Sequence, residues 1–302
     1  MSNHNIKNQI IEYSKSLGFD LISFSNIKVD KKTKNNYLDW LKNNHNASMK
    51  YMENNIDLRF DLNKLFENYK SMIILGLNYS QPVQKNNIGE NISIYAYGRD
   101  YHKTIKGKLK KIIKVLNENN IKARGFTDSA PIMEKYFAEQ SGIGWQGKNS
   151  LIINKKLGSY FFLAEILTDF DFGNEKIATN HCGNCRKCID ACPTNAIIKD
   201  GVIDSNKCIS YLTIEHTGSI KKDIKSNMKE MIFGCDICQI VCPWNKKVKL
   251  TEETDFDFRY MGIQLENILK LNEDEFNKLF QGAPIRRAGF TNFINQVKRI
   301  RK

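Results

Sequence analysis

"CGNCRKCIDACP", residues 182–193, decides how this chain is read. Cys182, Cys185, Cys188 and Cys192 follow a C-x2-C-x2-C-x3-C pattern closed by Pro193. Three thiolates two residues apart wrap three corners of a small cube. The fourth, on a helix leaving the site, reaches a neighbouring cube, which is the bacterial 4Fe-4S spacing. A second run, "CDICQIVCP" at 235–243, also ends in Cys-Pro but holds only three cysteines. By the same crossing logic Cys242 returns to the first cluster, giving the set Cys182, Cys185, Cys188 and Cys242. The second set then has Cys235, Cys238 and the crossing Cys192. All eight cysteines lie between 182 and 242, and the one left to complete this set is Cys208, in "NKCISYL". The sequence thus predicts two 4Fe-4S clusters in a ferredoxin-like repeat whose second half is distorted. Disulfides need an oxidising compartment, and zinc favours separated pairs of ligands; neither suits this pattern.

The rest of the chain must explain what the electrons do. Its 302 residues allow one large domain or two ordinary ones, and 41% hydrophobic residues are enough for a core. No stretch approaches twenty apolar residues, which argues against a membrane span. The polar start, "MSNHNIKNQIIEYSK", has neither a signal-peptide core nor a twin-arginine pair, so a cytoplasmic protein is expected. The formal charge of +13 points to a polyanion, nucleic acid before anionic membrane. The 37 Lys against 9 Arg, with abundant Asn and Ile, fit compositional drift as well as they fit binding.

Strands and helices alternate ahead of the cysteines. Residues 5–17 read as a helix, "DLISFS" as a strand, "NNYLDWLKNN" as a helix, and "SMIILGLNYS" (71–80) as a fully buried strand. Residues 102–119 place Ile105, Leu109, Ile112 and Leu116 on one helical face and Lys103 to Lys114 on the other, a solvated face or a nucleic-acid contact. "IKARGF" reads as a strand and 132–141 as a helix. "SLIINKK" and "SYFFLAEILTDF" read as a closing pair of strands. The expected organisation is an α/β domain over 1–175, a ferredoxin-like domain with two 4Fe-4S clusters over 176–250, and a helical, basic C-terminal segment over 251–302. From Gly282 onward there are six Lys or Arg and no acid.

"YGRDYH" (97–102), "TDSAPIMEK" (127–135), "GIGWQGKNSLI" (142–152) and "GSYFFLAEILTD" (158–169), followed by the two cysteine runs, carry a resemblance. In this order, over roughly residues 1–290, the chain resembles the epoxyqueuosine reductases, a cobalamin-dependent, tRNA-modifying family. The resemblance includes the displaced Cys208. It implies an N-terminal domain like that of reductive dehalogenases, holding base-off cobalamin beside the clusters. It also implies reduction of epoxyqueuosine at the tRNA wobble position. Many members carry a C-terminal helical-repeat region with tRNA contacts; this chain stops at Lys302.

The family's proton donor falls on Asp128; read from residues alone, "DSAP" ahead of an apolar helix equally suits a helix cap. The acid role needs a raised pKa, through desolvation against the corrin. The cobalamin contacts implied by resemblance are Arg59 in "DLRFD", Ser93, Asp128, Asn149, Ile152, Leu163, Ser210 and Asp236. His102 is read as structural, not as a cobalt ligand. For tRNA the candidates are Arg286 and Arg287 in "PIRR", the terminal "KRIRK", and the lysine face of 103–114. The expected partners are tRNA carrying epoxyqueuosine and a reductant such as a flavodoxin or ferredoxin, acting on a monomer. Two other functions compete: a dehalogenase-like cobalamin reductase of a small molecule, and a plain electron-transfer protein without a cofactor pocket.

Overall fold

The computed structural model describes residues 3–26 and 28–301. The chain opens with helix α1 (Asn3–Ser16), strand β1 (Leu21–Ser25), helices α2 (Lys31–Lys42) and α3 (Ile56–Phe60), and strand β2 (Ser71–Asn78). Helix α4 (Tyr101–Glu118), strand β3 (Ala123–Phe126), helix α5 (Glu134–Gln140), the short strands β4 (Trp145–Gln146) and β5 (Ile152–Ile153), and the long strand β6 (Phe161–Thr168) complete the first part. The cysteine region holds α6 (Lys187–Ala191), β7 (Ile197–Lys199), β8 (Val202–Ile203), α7 (Ile209–Ile214), α8 (Lys222–Asn227) and α9 (Ile237–Ile240). Helices α10 (Leu265–Leu269), α11 (Glu273–Leu279) and α12 (Phe290–Ile300) follow.

The main sheet has the order β1-β2-β6-β3, and every pairing in it is antiparallel. The alternation of strands and helices is therefore not a parallel crossover arrangement, and the domain is α+β in the strict sense. Its two central strands are buried on both faces. In β2, Ile73, Leu75 and Leu77 enter one core while Met72 and Ile74 enter the other. In β6, Ala164 and Ile166 face the first core and Phe161 and Leu167 the second. The two-residue period of a strand puts alternate side chains on opposite faces, so burial on both produces the continuous apolar runs seen in the sequence. The apolar face of α4, from Ile105 to Leu116, lies in the first core. "SLIINKK" does not pair with β6 as expected; Ile152 and Ile153 pair back with Gln146 and Trp145.

The helices after residue 256 join the first core, to which Phe256, Phe276, Phe280, Phe293 and Val297 contribute beside α1, α4 and the sheet. The segment 255–256 lies so close to Gly98 that a Cβ there would collide with its backbone, which accounts for the glycine in "YGRDYH". In the terminal "KRIRK", whose Lys302 lies outside the described residues, the two arginines are not free. Arg299 donates to the carbonyl oxygens of Lys229, at 2.7 Å, and Met231, and to Gln296 Oε1, while Arg301 pairs with Glu266. On α4, Lys108 is also committed, to Glu253 at 2.6 Å and to the carbonyl of Leu17; Lys103, Lys106, Lys110, Lys111 and Lys114 are exposed.

A buried polar bridge fastens the sheet to the second cysteine run. Asn245 accepts from the Ser159 N–H at 2.7 Å and donates to the Gln239 carbonyl at 2.8 Å, and Ser159 Oγ donates to Gln239 Oε1 at 2.8 Å. Satisfied networks of this kind fix one arrangement of the parts they join.

Candidate active site

The cysteine cradle repeats itself in backbone as well as sequence. Helices α6 and α9, which carry Cys188 and Cys238, pack together. The residue that opens the helix in each run, Arg186 after Cys185 and Asp236 after Cys235, has nearly the same dihedrals, φ −121°, ψ 8° and φ −108°, ψ 7°. Cys192 (φ −70°, ψ 106°) and Cys242 (φ −68°, ψ 125°) are extended, as a residue before proline must be. Cys208 adopts the same conformation, φ −71°, ψ 120°, without a following proline.

The thiols fall into two neighbourhoods. Burial pushes Cys188 and Cys242 up, and each is raised further by the Cys182 thiolate, Cys242 also by Cys185. Burial likewise raises Cys208, Cys235 and Cys238, and each of these also feels the charge of Cys192. Thiolates crowded out of water in this way need a cationic partner, which iron supplies. Cys192 Sγ also accepts the Ala196 N–H at 3.3 Å, a contact of the type that tunes a cluster's potential.

Beside the second neighbourhood opens a cavity of about 650 Å³. Its walls include Tyr51, Tyr101, Asp128, Ser210, Arg286 and Arg287. Asp128, Ser210, Arg286 and Arg287, expected at the site from sequence, are therefore brought together. Both arginines are exposed, and Arg287 is paired with Glu215 at 2.6 Å.

Asp128 caps no helix: α5 starts at Glu134 with Met133 at its N-cap. Its backbone is left-handed, φ 46°, a conformation that aspartate tolerates better than most residues. Asp128 Oδ2 accepts from the Tyr101 hydroxyl at 2.5 Å and lies 3.8 Å from His102 Nε2. Its side chain is 60% exposed to the cavity. Burial, and then the charge of Asp128, pushes Tyr101 far up, so the phenol stays a donor. Tyr101 is itself held by stacking on Phe162, 4.1 Å between ring centres and 7° between planes. His102 is turned to Asp100 at 2.7 Å. Tyr101 was not singled out from sequence, although it stands in "YGRDYH".

The remaining residues lie outside this cavity's walls. Arg59 is buried, its guanidinium 5.3 Å from the Tyr37 ring, and its Nε has no partner among the described residues. Asn149 is buried with Nδ2 equally unpartnered. Ile152 and Leu163 belong to the second core, and the Leu163 carbonyl accepts from Thr127 Oγ1 at 3.0 Å. Ser93 and Asp236 are joined to each other. Asp236 accepts from Ser93 Oγ at 2.6 Å, from the Ile94 N–H at 2.7 Å and from Gln239 Nε2 at 2.9 Å. Asp236, expected from sequence at the cofactor, is buried and makes these hydrogen bonds within the protein.

A family model described as "4Fe-4S double cluster binding domain" matches residues 181–245, and one described as "Epoxyqueuosine reductase QueG, DUF1730" matches residues 59–129. An epoxyqueuosine reductase from Cyclobacterium marinum is 41% identical over 96% of this chain and 96% of its own. The chain belongs to the epoxyqueuosine reductase family. The epoxyqueuosine reductase of Aliivibrio fischeri is 36% identical over 97% of this chain and 81% of its own. A crystal structure of epoxyqueuosine reductase with a tRNA-Tyr epoxyqueuosine-modified tRNA stem loop matches with a TM-score of 0.91 at 25% identity. That match covers 99% of this chain and 81% of the other. As an epoxyqueuosine reductase the chain is an oxidoreductase, and its double-cluster domain coincides with the two cysteine runs. Among the described residues, no helix is long and apolar enough to cross a membrane.

Proposed function

We propose that this epoxyqueuosine reductase acts on the modified anticodon of tRNA, with Asp128 as proton donor and base-off cobalamin as the reducing cofactor. The observation that carries the reading is Asp128 itself. It presents an ionisable carboxyl group to an open cavity, with one oxygen held by Tyr101, and Arg286 and Arg287 lining the same cavity. Removing an epoxide oxygen to leave a double bond consumes two electrons and two protons and releases water. When bound, cobalamin supplies a reduced cobalt for the epoxide, and the 4Fe-4S clusters supply its electrons singly.

The chain's own task is the proton. An alkoxide leaves poorly, so the carboxyl protonates the oxygen as it departs. Oδ2 is occupied by Tyr101, which leaves Oδ1 for transfer. Exposure to the cavity lets solvent reprotonate the carboxylate. Arg59 and Asn149 fit a corrin because each offers a buried donor with no protein acceptor, a costly arrangement unless a ligand's amide or phosphate oxygen completes it. Ser93, Ser210 and Asp236 are further polar contacts, and Ile152 and Leu163 are apolar ones. The ligand sets are Cys182, Cys185, Cys188 and Cys242 for one cluster, and Cys192, Cys208, Cys235 and Cys238 for the other. Arg286 and Arg287 meet tRNA phosphates. A flavodoxin- or ferredoxin-type donor, a cytoplasmic setting and a monomer complete the reading.

The test is incubation of the reduced, cluster-loaded protein with cobalamin and epoxyqueuosine-containing tRNA, followed by nucleoside mass spectrometry. Queuosine that forms only when cobalamin is present supports the reading, and equal conversion without cobalamin overturns it.

A further inference from the structure

Strand β6 contains one charged residue, Glu165, in the run "FFLAEIL". It sits in the middle of the sheet, opposite Ile74 of β2 on one side and Phe126 of β3 on the other. Its exposure is 0%. No donor among the described residues reaches either of its carboxyl oxygens. What its carboxyl does meet is the carboxyl of Glu134, at the start of α5. Ionised carboxylates only accept, so two of them in hydrogen-bond contact require a proton between them. Without it Glu165, fully buried in the sheet, would carry an unpaired negative charge beside that of Glu134.

The pair also reaches the active site. Glu134 Oε1 accepts the backbone N–H of Asp128 at 2.7 Å. Asp128 begins where β3 ends, two residues after the Phe126 that faces Glu165 across the sheet. Its left-handed backbone persists only where the surroundings hold it. Thr127 is anchored by its hydroxyl to the carbonyl of Leu163, two residues before Glu165 on the same face of β6. The Glu134 contact is the one that fixes the Asp128 amide.

We propose that Glu134 and Glu165 share one proton and act as a positioning pair, Glu165 holding Glu134 and Glu134 holding the Asp128 amide, so that the Asp128 carboxyl is aimed into the cavity. Burial pushes both carboxyls up, and the charge of Asp128 adds to the effect; Glu134 raises Glu165 further, whereas on Glu134 the hydrogen bonds from the Asp128 amide and from Glu165, and the charge of Lys135, act in the opposite direction. An ionised Glu165 with no donor would repel Glu134 and release the amide. One shared proton keeps Glu134 in place and leaves its second oxygen free to accept.

The inference rests on Asp128 being the acid for its catalytic consequence only; the shared proton and the amide contact are tested without turnover. In the cluster-loaded protein without cobalamin, amide hydrogen exchange at Asp128 should quicken at least tenfold in Glu134→Ala and stay near wild type in Glu134→Gln, whose oxygen still accepts. In the infrared spectrum at neutral pH, wild type should show the carbonyl stretch of a protonated carboxyl that Glu165→Gln lacks. Single-turnover conversion should fall about 10²-fold in Glu134→Ala, the usual cost of a misplaced catalytic group, and recover most of that loss in Glu134→Gln. Unchanged exchange at Asp128 in Glu134→Ala overturns the positioning role. Absence of the protonated-carboxyl band from wild type, a measurement that needs no variant to fold, overturns the shared proton. Altered exchange and an intact band with unchanged conversion would instead count against Asp128 as the acid.

Discussion

Replacing Asp128 by Asn separates chemistry from architecture at this site. Asn tolerates the left-handed backbone at φ 46° as well as Asp does, and its amide N–H still reaches Glu134. Its side-chain oxygen still accepts from Tyr101, so a charge-assisted hydrogen bond becomes a neutral one, a change of about 1 kcal/mol. The side chain is 60% exposed, so no buried group is orphaned. Fold, cluster content and cobalamin binding should therefore survive. What the amide cannot do is deliver a proton at neutral pH. General acid catalysis contributes about 10²–10⁴-fold, which at 1.36 kcal/mol per decade is about 3–5 kcal/mol of barrier. The chemical loss thus exceeds the structural one severalfold, and the two are distinguishable. Single-turnover conversion by pre-reduced enzyme, read by nucleoside mass spectrometry, is the assay, because it bypasses the electron donor. Conversion within tenfold of wild type would refute the assignment, since a hydrogen-bond change alone accounts for that much.

Cys208→Ala should damage one cluster and largely spare the other; iron analysis and EPR of the anaerobically loaded variant check this, and two normal clusters would remove Cys208 from the ligand set. Arg286→Ala should lower the salt slope of tRNA binding by about one unit, the mark of one lost phosphate contact. Arg287→Ala should weaken binding further at low salt, because it also frees Glu215, 2.6 Å away; an unchanged slope in both would return them to ordinary surface. Burial, then the charge of Asp128, raises Glu134 to about 7. A carboxyl raised in the folded state stabilises while protonated, and that contribution is lost as pH climbs from the ordinary carboxylate range near 4.3 through the folded value. Wild type should accordingly lose thermal stability between about pH 4 and 7 relative to Glu134→Gln, and parallel melting curves across that range would contradict the shift.

The parts of the site legible in the sequence were those whose chemistry is local. Cys-Pro imposes an extended backbone by sterics alone, so the conformation found at Cys192 and Cys242 was legible from the two Cys-Pro pairs. Strand direction has no such local signal. The run "SMIILGLN" reports burial on both faces but not whether its neighbours run parallel, and the sheet is antiparallel throughout. Arg299 looked like part of a basic arm because its partners, the carbonyls of Lys229 and Met231, lie some 70 residues back in sequence. Glu165 carried a usable signal that went unread: a lone carboxylate in a strand otherwise apolar on both faces is too costly to be incidental.

The first core closes around residues that flank the cysteines on both sides, from Ile6 to Phe172 and again from Ile232 to Val297. During synthesis, all eight cysteines must therefore leave the ribosome before Phe276, Phe280 and Phe293 exist to complete that core. The cradle forms on a chain whose hydrophobic interior is still open, with Ile232 and Phe233 joining the core next to Cys235. Iron supply and folding then become one event, because thiolates held together without metal repel each other. Protein made without iron should therefore be proteolysed more readily than the cluster-loaded form, starting at the cradle and the part of the core beside it.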